Sequence, residues 1–349
     1  MEGAVLAEPV HGPAGGLVLG AGVSISREDL AKLGKAGIAE VLVDDDCSRG
    51  ITPPDAISAG TRQRAFTLLR SLHEGVSSRR DRFELPWGDL VKVAGDICDE
   101  LSVGKRKTVD LIPVGDVKEF PVLQAYNGAV LAAGLARAIG HGNRVPDIIL
   151  GAFCRDLGMM ALPGDVLDKP GELSAEERAV VNRHPDIGLK LLERHRASAY
   201  TKVVVVQHHE RSDGSGYPVG LGDKDAHLYS KIMAIADVYS AMVSSRPYRR
   251  AYSPHEASDY LVSAAGFEFD HLLVQHFTRV AVPYPVGTLV SMSTGEKAIV
   301  LEVENGLPAR PLVRVLTDRT GRPLACHQEL DLSDPRQQSR LIVGSVEHL

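Results

Sequence analysis

The spacing of apolar and polar positions changes character along the chain. Leu17–Leu19 and Val41–Val43 are short apolar runs. They flank a helical stretch that opens at Ser26, carries Glu28 and Asp29 in its first turn and stops before Gly37, so a small α/β unit is expected. Residues 44–60 hold Asp44, Asp45, Asp46, Gly50, Pro53, Pro54 and Gly60, the composition of a linker. Helical periodicity fills most of 61–104, with a polar break near Ser77–Arg82. From about 117 to 280 one helix follows another. Ser174 with Glu177, and Ser253 with Glu256, have the spacing of capping boxes, the second with Pro254 in the first turn and Gly266 as its stop. Beyond Pro283 the pattern becomes strand-like at Leu289–Ser293, Ala298–Val303 and Leu312–Leu316, broken at Thr294-Gly295, Asn305-Gly306 and Asp318–Gly321. The expected fold is mostly α: an all-helical bundle between a small N-terminal α/β unit and a small C-terminal all-β appendage. The boundaries are 1–60 for the first unit and its linker, 61–116 for a helical connector, 117–283 for the bundle and 284–349 for the β-rich end.

Composition narrows the class. At 349 residues, 44% apolar and 24% charged, the chain has the material for a sizeable core and none of the bias of a disordered or fibrous protein. Lys plus Arg is 39 against 45 for Asp plus Glu, a net charge of −6, so there is no overall basic field for a nucleic-acid polymer. No apolar run approaches a membrane span, and the N-terminal residues carry Glu2 and Glu8 where a signal peptide would be cationic. The four cysteines, Cys47, Cys98, Cys154 and Cys326, are scattered, without metal or disulfide spacing. A cytoplasmic protein without a membrane partner is expected.

The chemistry lies in the helical part. If Pro146 opens a helix, Ile149, Ala152, Phe153 and Asp156 share one face. Met233, Ala236, Asp237 and Ser240 do the same further on, so both apolar faces carry a carboxylate. Buried carboxylates need a cation or a metal. His184 follows the first capping-box helix, and His208-His209 follow Val203–Gln207, so imidazoles and inward carboxylates fall in one helical region, a donor set suited to Fe, Mn or Zn. Arg211 and the turn Asp213-Gly214-Ser215-Gly216-Tyr217-Pro218 come directly after the histidine pair, as a substrate loop would. Arg246-Pro247-Tyr248-Arg249-Arg250 offers guanidiniums for a phosphate.

The order Asp156, His184-Pro185, His208-His209-Glu210-Arg211, Asp213–Pro218, Asp237 and Arg246–Arg249 resembles the HD-GYP family over about residues 117–280. The resemblance implies an HD-type helical phosphohydrolase domain with a two- or three-metal centre, usually iron or manganese, acting on the bacterial second messenger cyclic di-GMP. It also implies metal ligation by Asp156, His184, His208, His209 and Asp237, with Asp156 in the reaction itself. Arg211, Tyr217, Arg246 and Arg249 would then contact substrate, and a signalling protein could dock on Gly216-Tyr217-Pro218.

The chain departs from that pattern at its namesake motif. The family's His-Asp-Ile-Gly-Lys stretch reads Arg155-Asp156-Leu157-Gly158-Met159 here, and a further metal histidine is replaced by Gln124. A guanidinium cannot ligate a metal, and at about 5 Å from a dication it is repelled by roughly 6 kcal/mol at an effective dielectric near 20. Arg155 is therefore expected to replace one metal by neutralising Asp156 and Asp237, leaving one divalent ion or none. Two readings follow: a degenerate protein that binds cyclic di-GMP or a protein partner with weak or no hydrolysis, or a metal-dependent cyclic di-GMP phosphodiesterase with a reduced centre.

Overall fold

The structure is a computed structural model, and it describes residues 2–7, 10–11, 17–35, 38, 41, 43–45, 47–51, 56–79, 83–104, 120–167, 169, 171–244, 251–304 and 306–346. The N-terminal unit holds β1 (Val5–Leu6), β2 (Val10–His11), β3 (Leu17–Leu19), α1 (Arg27–Lys35) and β4 (Val43–Asp44). β1 pairs with β4 and β2 with β3, both antiparallel. Ser26 Oγ accepts the Asp29 N–H at the start of α1, as the sequence indicates, and Leu6, Leu19, Ile25 and Leu33 form a small core.

α2 (Ala59–Arg79) and α3 (Trp87–Val103) lead into the bundle. The bundle consists of α4 (Phe120–Ala138), α5 (Val145–Cys154), α6 (Gly164–Leu167), α7 (Ala175–Val181), α8 (His184–Leu192), α9 (Ala199–Gln207), α10 (Leu228–Met242), α11 (Pro254–Ala264) and α12 (His271–Phe277). α4 is apolar all round and buried from Val122 to Ala136, so it is the central helix, with α5 and α10 packed on it. One hydrophobic core runs from Ile57 to Ala281, with α2 and α3 inside it. Both capping boxes form, at Ser174 with Glu177 and at Ser253 with Glu256.

The C-terminal part is an antiparallel five-stranded sheet in the order β8-β7-β6-β5-β9. Its strands are β5 (Leu289–Met292), β6 (Lys297–Glu302), β7 (Leu312–Thr317), β8 (Pro323–Asp331) and β9 (Ile342–Ser345). The last two go beyond the sequence reading: β8 is largely solvent-exposed and lacks the alternation of a half-buried strand. The acidic linker is not free of this sheet. Arg314 on β7 donates to the carbonyls of Cys47 and Arg49 at 3.0 Å each, and Ile51 enters the sheet's core.

Candidate metal centre

α5 ends at Cys154, two residues earlier than the periodicity suggests, and Asp156 lies in the turn that follows. The expectation of a helical, buried Asp156 is corrected on both counts: its side chain is 28% exposed. The cause is the next element. Gly158 passes so close to the start of α8 that an added Cβ would overlap the His184 carbonyl. The turn thereby aims Asp156 at the first residue of α8.

His184 and His208 converge on that carboxylate. Their Nε2 atoms are 3.3 Å apart and lie 3.6 and 3.7 Å from Asp156 Oδ1. Each Nδ1 is fixed by a backbone carbonyl, Val181 at 2.8 Å and Val205 at 2.9 Å. A carbonyl only accepts, so each Nδ1 carries a proton and each Nε2 is the nitrogen turned to the shared point, where a neutral ring can ligate. His209 joins them, and ligand atoms of Asp156, His184, His208 and His209 all lie within 4.8 Å of one another. Donors on one divalent ion at about 2.0–2.1 Å stand roughly 3.0–3.5 Å apart, close to the 3.3–3.7 Å among Asp156 Oδ1 and the two Nε2 atoms, so these three fit a metal, with His209 alongside. Burial lowers the His184 and His209 imidazoles, His209 well below its ordinary value with His208 adding to the effect, which favours the neutral, ligating form.

The other side of Asp156 is already occupied. Arg155 is 0% exposed, and its Nε lies 3.1 Å from Asp156 Oδ2. The guanidinium also donates to Asp237 Oδ1 from Nε (3.1 Å) and Nη2 (2.8 Å), to the Ala152 carbonyl (2.8 Å) and to the Gln124 carbonyl (3.1 Å). Gln124 Nε2 donates to Asp237 Oδ1 and to its carbonyl, both at 3.0 Å. Gly128 makes the room, since a Cβ there would stand 3.2 and 3.3 Å from the guanidinium nitrogens. Burial works to raise the Asp156 carboxyl, but Arg155 beside it, with His208 next, holds it well below the usual carboxylate range. Asp237 thus joins Arg155 and Gln124 rather than the histidine cluster, while Met159 opens a 3₁₀ turn, Met159–Ala161, at the rim.

The loop after the histidines closes the site. Buried Glu210, which the sequence reading quoted without a role, accepts N–H bonds from Val219, Gly220 and Leu221 at 2.8–3.0 Å. Gly216 crosses the His209–Arg211 backbone too closely for any Cβ. Tyr217 is therefore folded inward, its ring stacked on His209 at 4.6 Å, and burial raises its phenol, which stays protonated. Arg211 turns to the flank, over the Phe269 ring at 5.1 Å and 3.9 Å from Glu268. Arg246 and Arg249 lie outside the described residues. Neither Gly128, Gly158 nor Glu210 shows its role in sequence, because each depends on a contact between distant segments.

Gly158→Ala is expected to push the Asp156 turn off α8, destabilising the protein by about 3 kcal/mol. Metal affinity should fall on the order of 10–100-fold, as for lost outer-shell support. Calorimetric titration with Mn²⁺ checks this, and unchanged affinity would show that the close approach does not set the site.

A helical domain that gathers an aspartate and three histidines from the α5 turn, α8 and the end of α9 defines the class. Residues 129–273 match the HD domain family and residues 289–347 a KOW domain associated with HD domain. A cyclic di-GMP phosphodiesterase of Pseudomonas aeruginosa is 29% identical over 352 residues, covering 91% of this chain and 83% of that one. A cyclic di-GMP phosphodiesterase response regulator of Xanthomonas campestris is 40% identical over 151 residues, 42% of this chain and 40% of that one. A 3'3'-cGAMP-specific phosphodiesterase of Vibrio cholerae is 33% identical over 150 residues, 42% of this chain and 29% of that one. Among solved structures, an HD-GYP-like protein of Bdellovibrio bacteriovorus aligns with a TM-score of 0.48 at 17% identity, covering 75% of this chain and 89% of that one. Residues 129–273 thus carry an HD domain, and the chain is similar to phosphodiesterases of the HD-GYP type. Among the described residues no helix is long and apolar enough to cross a membrane.

Proposed function

We propose that the protein is a metal-dependent phosphodiesterase acting on cyclic di-GMP through a reduced, single-ion centre. The observation that carries this is the convergence of two Nε2 atoms and Asp156 Oδ1 on one point, with His209 alongside. Asp156, His184, His208 and His209 would hold the ion, iron or manganese by donor type. When bound, a divalent ion supplies charge stabilisation to the phosphoryl group and lowers the pKa of water in the site.

The chain's own residues set the rest. Asp156 and Asp237 contribute two negative charges, Arg155 one positive charge, and neutral histidines none, so the pocket is singly negative by itself. One dication brings it to a single positive charge, matched to a phosphodiester monoanion. Most of the N–H groups of Arg155 are committed to protein acceptors, so it acts as a fixed counter-ion and not as a phosphate clamp. Protonated Tyr217 is the donor placed against the histidines, and Arg211 flanks the same loop. The relatives' names favour hydrolysis over a binding-only role, and nothing in the comparisons supports a protein partner at Gly216-Tyr217-Pro218.

The test is metal analysis of protein purified without chelator, together with turnover of cyclic di-GMP. About one metal equivalent per chain is expected, with hydrolysis lost on chelation and restored by Mn²⁺ or Fe²⁺. Metal-loaded protein that binds the dinucleotide without cleaving it would overturn the enzymatic reading in favour of a receptor.

A further inference from the structure

The loop that closes the site has a second neighbour. The Ser212 N–H donates to the Glu268 carbonyl at 2.9 Å, which ties the residues after the histidine pair to the turn between α11 and α12. A small cleft opens where the two meet, lined by Arg211, Ser212, Lys231, Ala234, Glu268 and Asp270 among others. It lies beside the centre. Arg211 is two residues after His209, a span of at most about 7 Å, and Ala234 is one turn before Asp237 on α10, a rise of about 4.5 Å.

The charged groups of the cleft are not equally engaged. Lys231 Nζ donates to the Asp223 carbonyl and carboxylate, both at 2.9 Å, and stands 3.4 Å from Asp270, whose Oδ1 accepts the Leu273 N–H at the start of α12. Arg211 and Glu268 are held loosely. Arg211 Nε is 3.9 Å from Glu268 Oε2, beyond hydrogen-bond length, and Nη1 reaches the Glu210 carbonyl only at 3.4 Å. Glu268 accepts from the Tyr260 hydroxyl at 3.2 and 3.3 Å, one donor for two oxygens with about four lone-pair sites, and its side chain is 38% exposed. One cleft therefore holds a carboxylate and a guanidinium side by side, each with hydrogen-bonding capacity to spare.

That combination matches the polar edge of guanine. Its N1–H and N2–H groups are donors for a carboxylate, and its O6 and N7 are the acceptors that arginine reads. Adenine would set a bare N1 acceptor against the same carboxylate, so the two purines are told apart. We propose that Glu268 is a specificity-determining residue that, with Arg211, recognises a guanine of the substrate while the adjoining phosphodiester is held at the metal centre. The role rests on the cyclic di-GMP reading above and names the residue that selects the base.

The experiment compares the full-length, metal-loaded wild type with Glu268→Gln and Glu268→Asp. Three quantities are read: KM and kcat for cyclic di-GMP, the inhibition constant of cyclic di-AMP as a competitor, and metal equivalents per chain. Glu268→Gln sets an amide where guanine needs two acceptors. Its KM for cyclic di-GMP should rise on the order of tenfold, with kcat and metal content changed far less and cyclic di-AMP competing no more weakly than before. Glu268→Asp, which keeps the carboxylate, should retain part of the wild-type preference. An unchanged KM in Glu268→Gln would overturn the role, as would equal weakening of both dinucleotides, the mark of a disturbed fold, or a wild type that binds the two alike. If the wild type neither binds nor cleaves cyclic di-GMP, the functional reading fails and this role with it, whereas a wild type that cleaves it no better than Glu268→Gln does sinks this role alone.

Discussion

Arg155→Ala is expected to lower the stability of the metal-free protein by about 3–5 kcal/mol, the usual cost of removing one partner from a buried charge pair. The side chain is 0% exposed and stands between Asp156 Oδ2 at 3.1 Å and Asp237 Oδ1 at 2.8 Å. Its removal leaves two carboxylates sharing a space from which their cation has gone, and it also takes a donor from each of the Gln124 and Ala152 carbonyls. A second consequence separates this account from simple packing. The vacated position is lined by two carboxylates, so divalent ions should recover part of the lost stability, and metal content should rise from about one equivalent toward two. The triple change Arg155→His, Gln124→His and Met159→Lys should carry that rise furthest, since it adds imidazole ligands where guanidinium and amide now stand. Urea denaturation with and without Mn²⁺, with elemental analysis of each variant, measures both effects. A loss below about 1 kcal/mol, or metal content unmoved in the triple variant, would show that Arg155 does not hold a cation's place.

His208→Ala should act in the opposite sense, removing metal with little cost to the fold. Its Nε2 stands 3.3 Å from that of His184, beside a carboxylate whose side chain is 28% exposed. Losing the ring leaves a small cavity at this partly open position, so the metal-free protein should lose no more than about 2 kcal/mol. Metal affinity should fall by more than 100-fold, beyond the 10–100-fold typical of outer-shell changes, and hydrolysis with it. Titration of the chelator-treated protein with Mn²⁺ decides the matter. Undiminished affinity would place the ion elsewhere.

The same residues show how far sequence alone reaches. The helix-forming pattern, the two capping boxes, the antiparallel strands from Leu289 to Thr317 and the helix opened by Ser26 are local properties, set by side-chain period, capping oxygens and turn glycines within a few residues of each other. All are legible in the chain, and all form. The candidate donors stand in a distinctive order in the sequence, and of these Asp156, His184, His208 and His209 come together in the fold.

Only the tertiary structure decided which carboxylate serves which cation. Asp237 looks like a ligand by its place on an apolar helix face, but the fold gives it to Arg155 and Gln124, 82 and 113 residues away in sequence. Asp156 turns one oxygen to the imidazoles and the other to the guanidinium because Gly158 lets its turn approach α8. The physical reason is common to these cases: periodicity and capping act through neighbours along the chain. The charge balance of a buried centre depends instead on contacts between distant segments, which exist only after the core has closed.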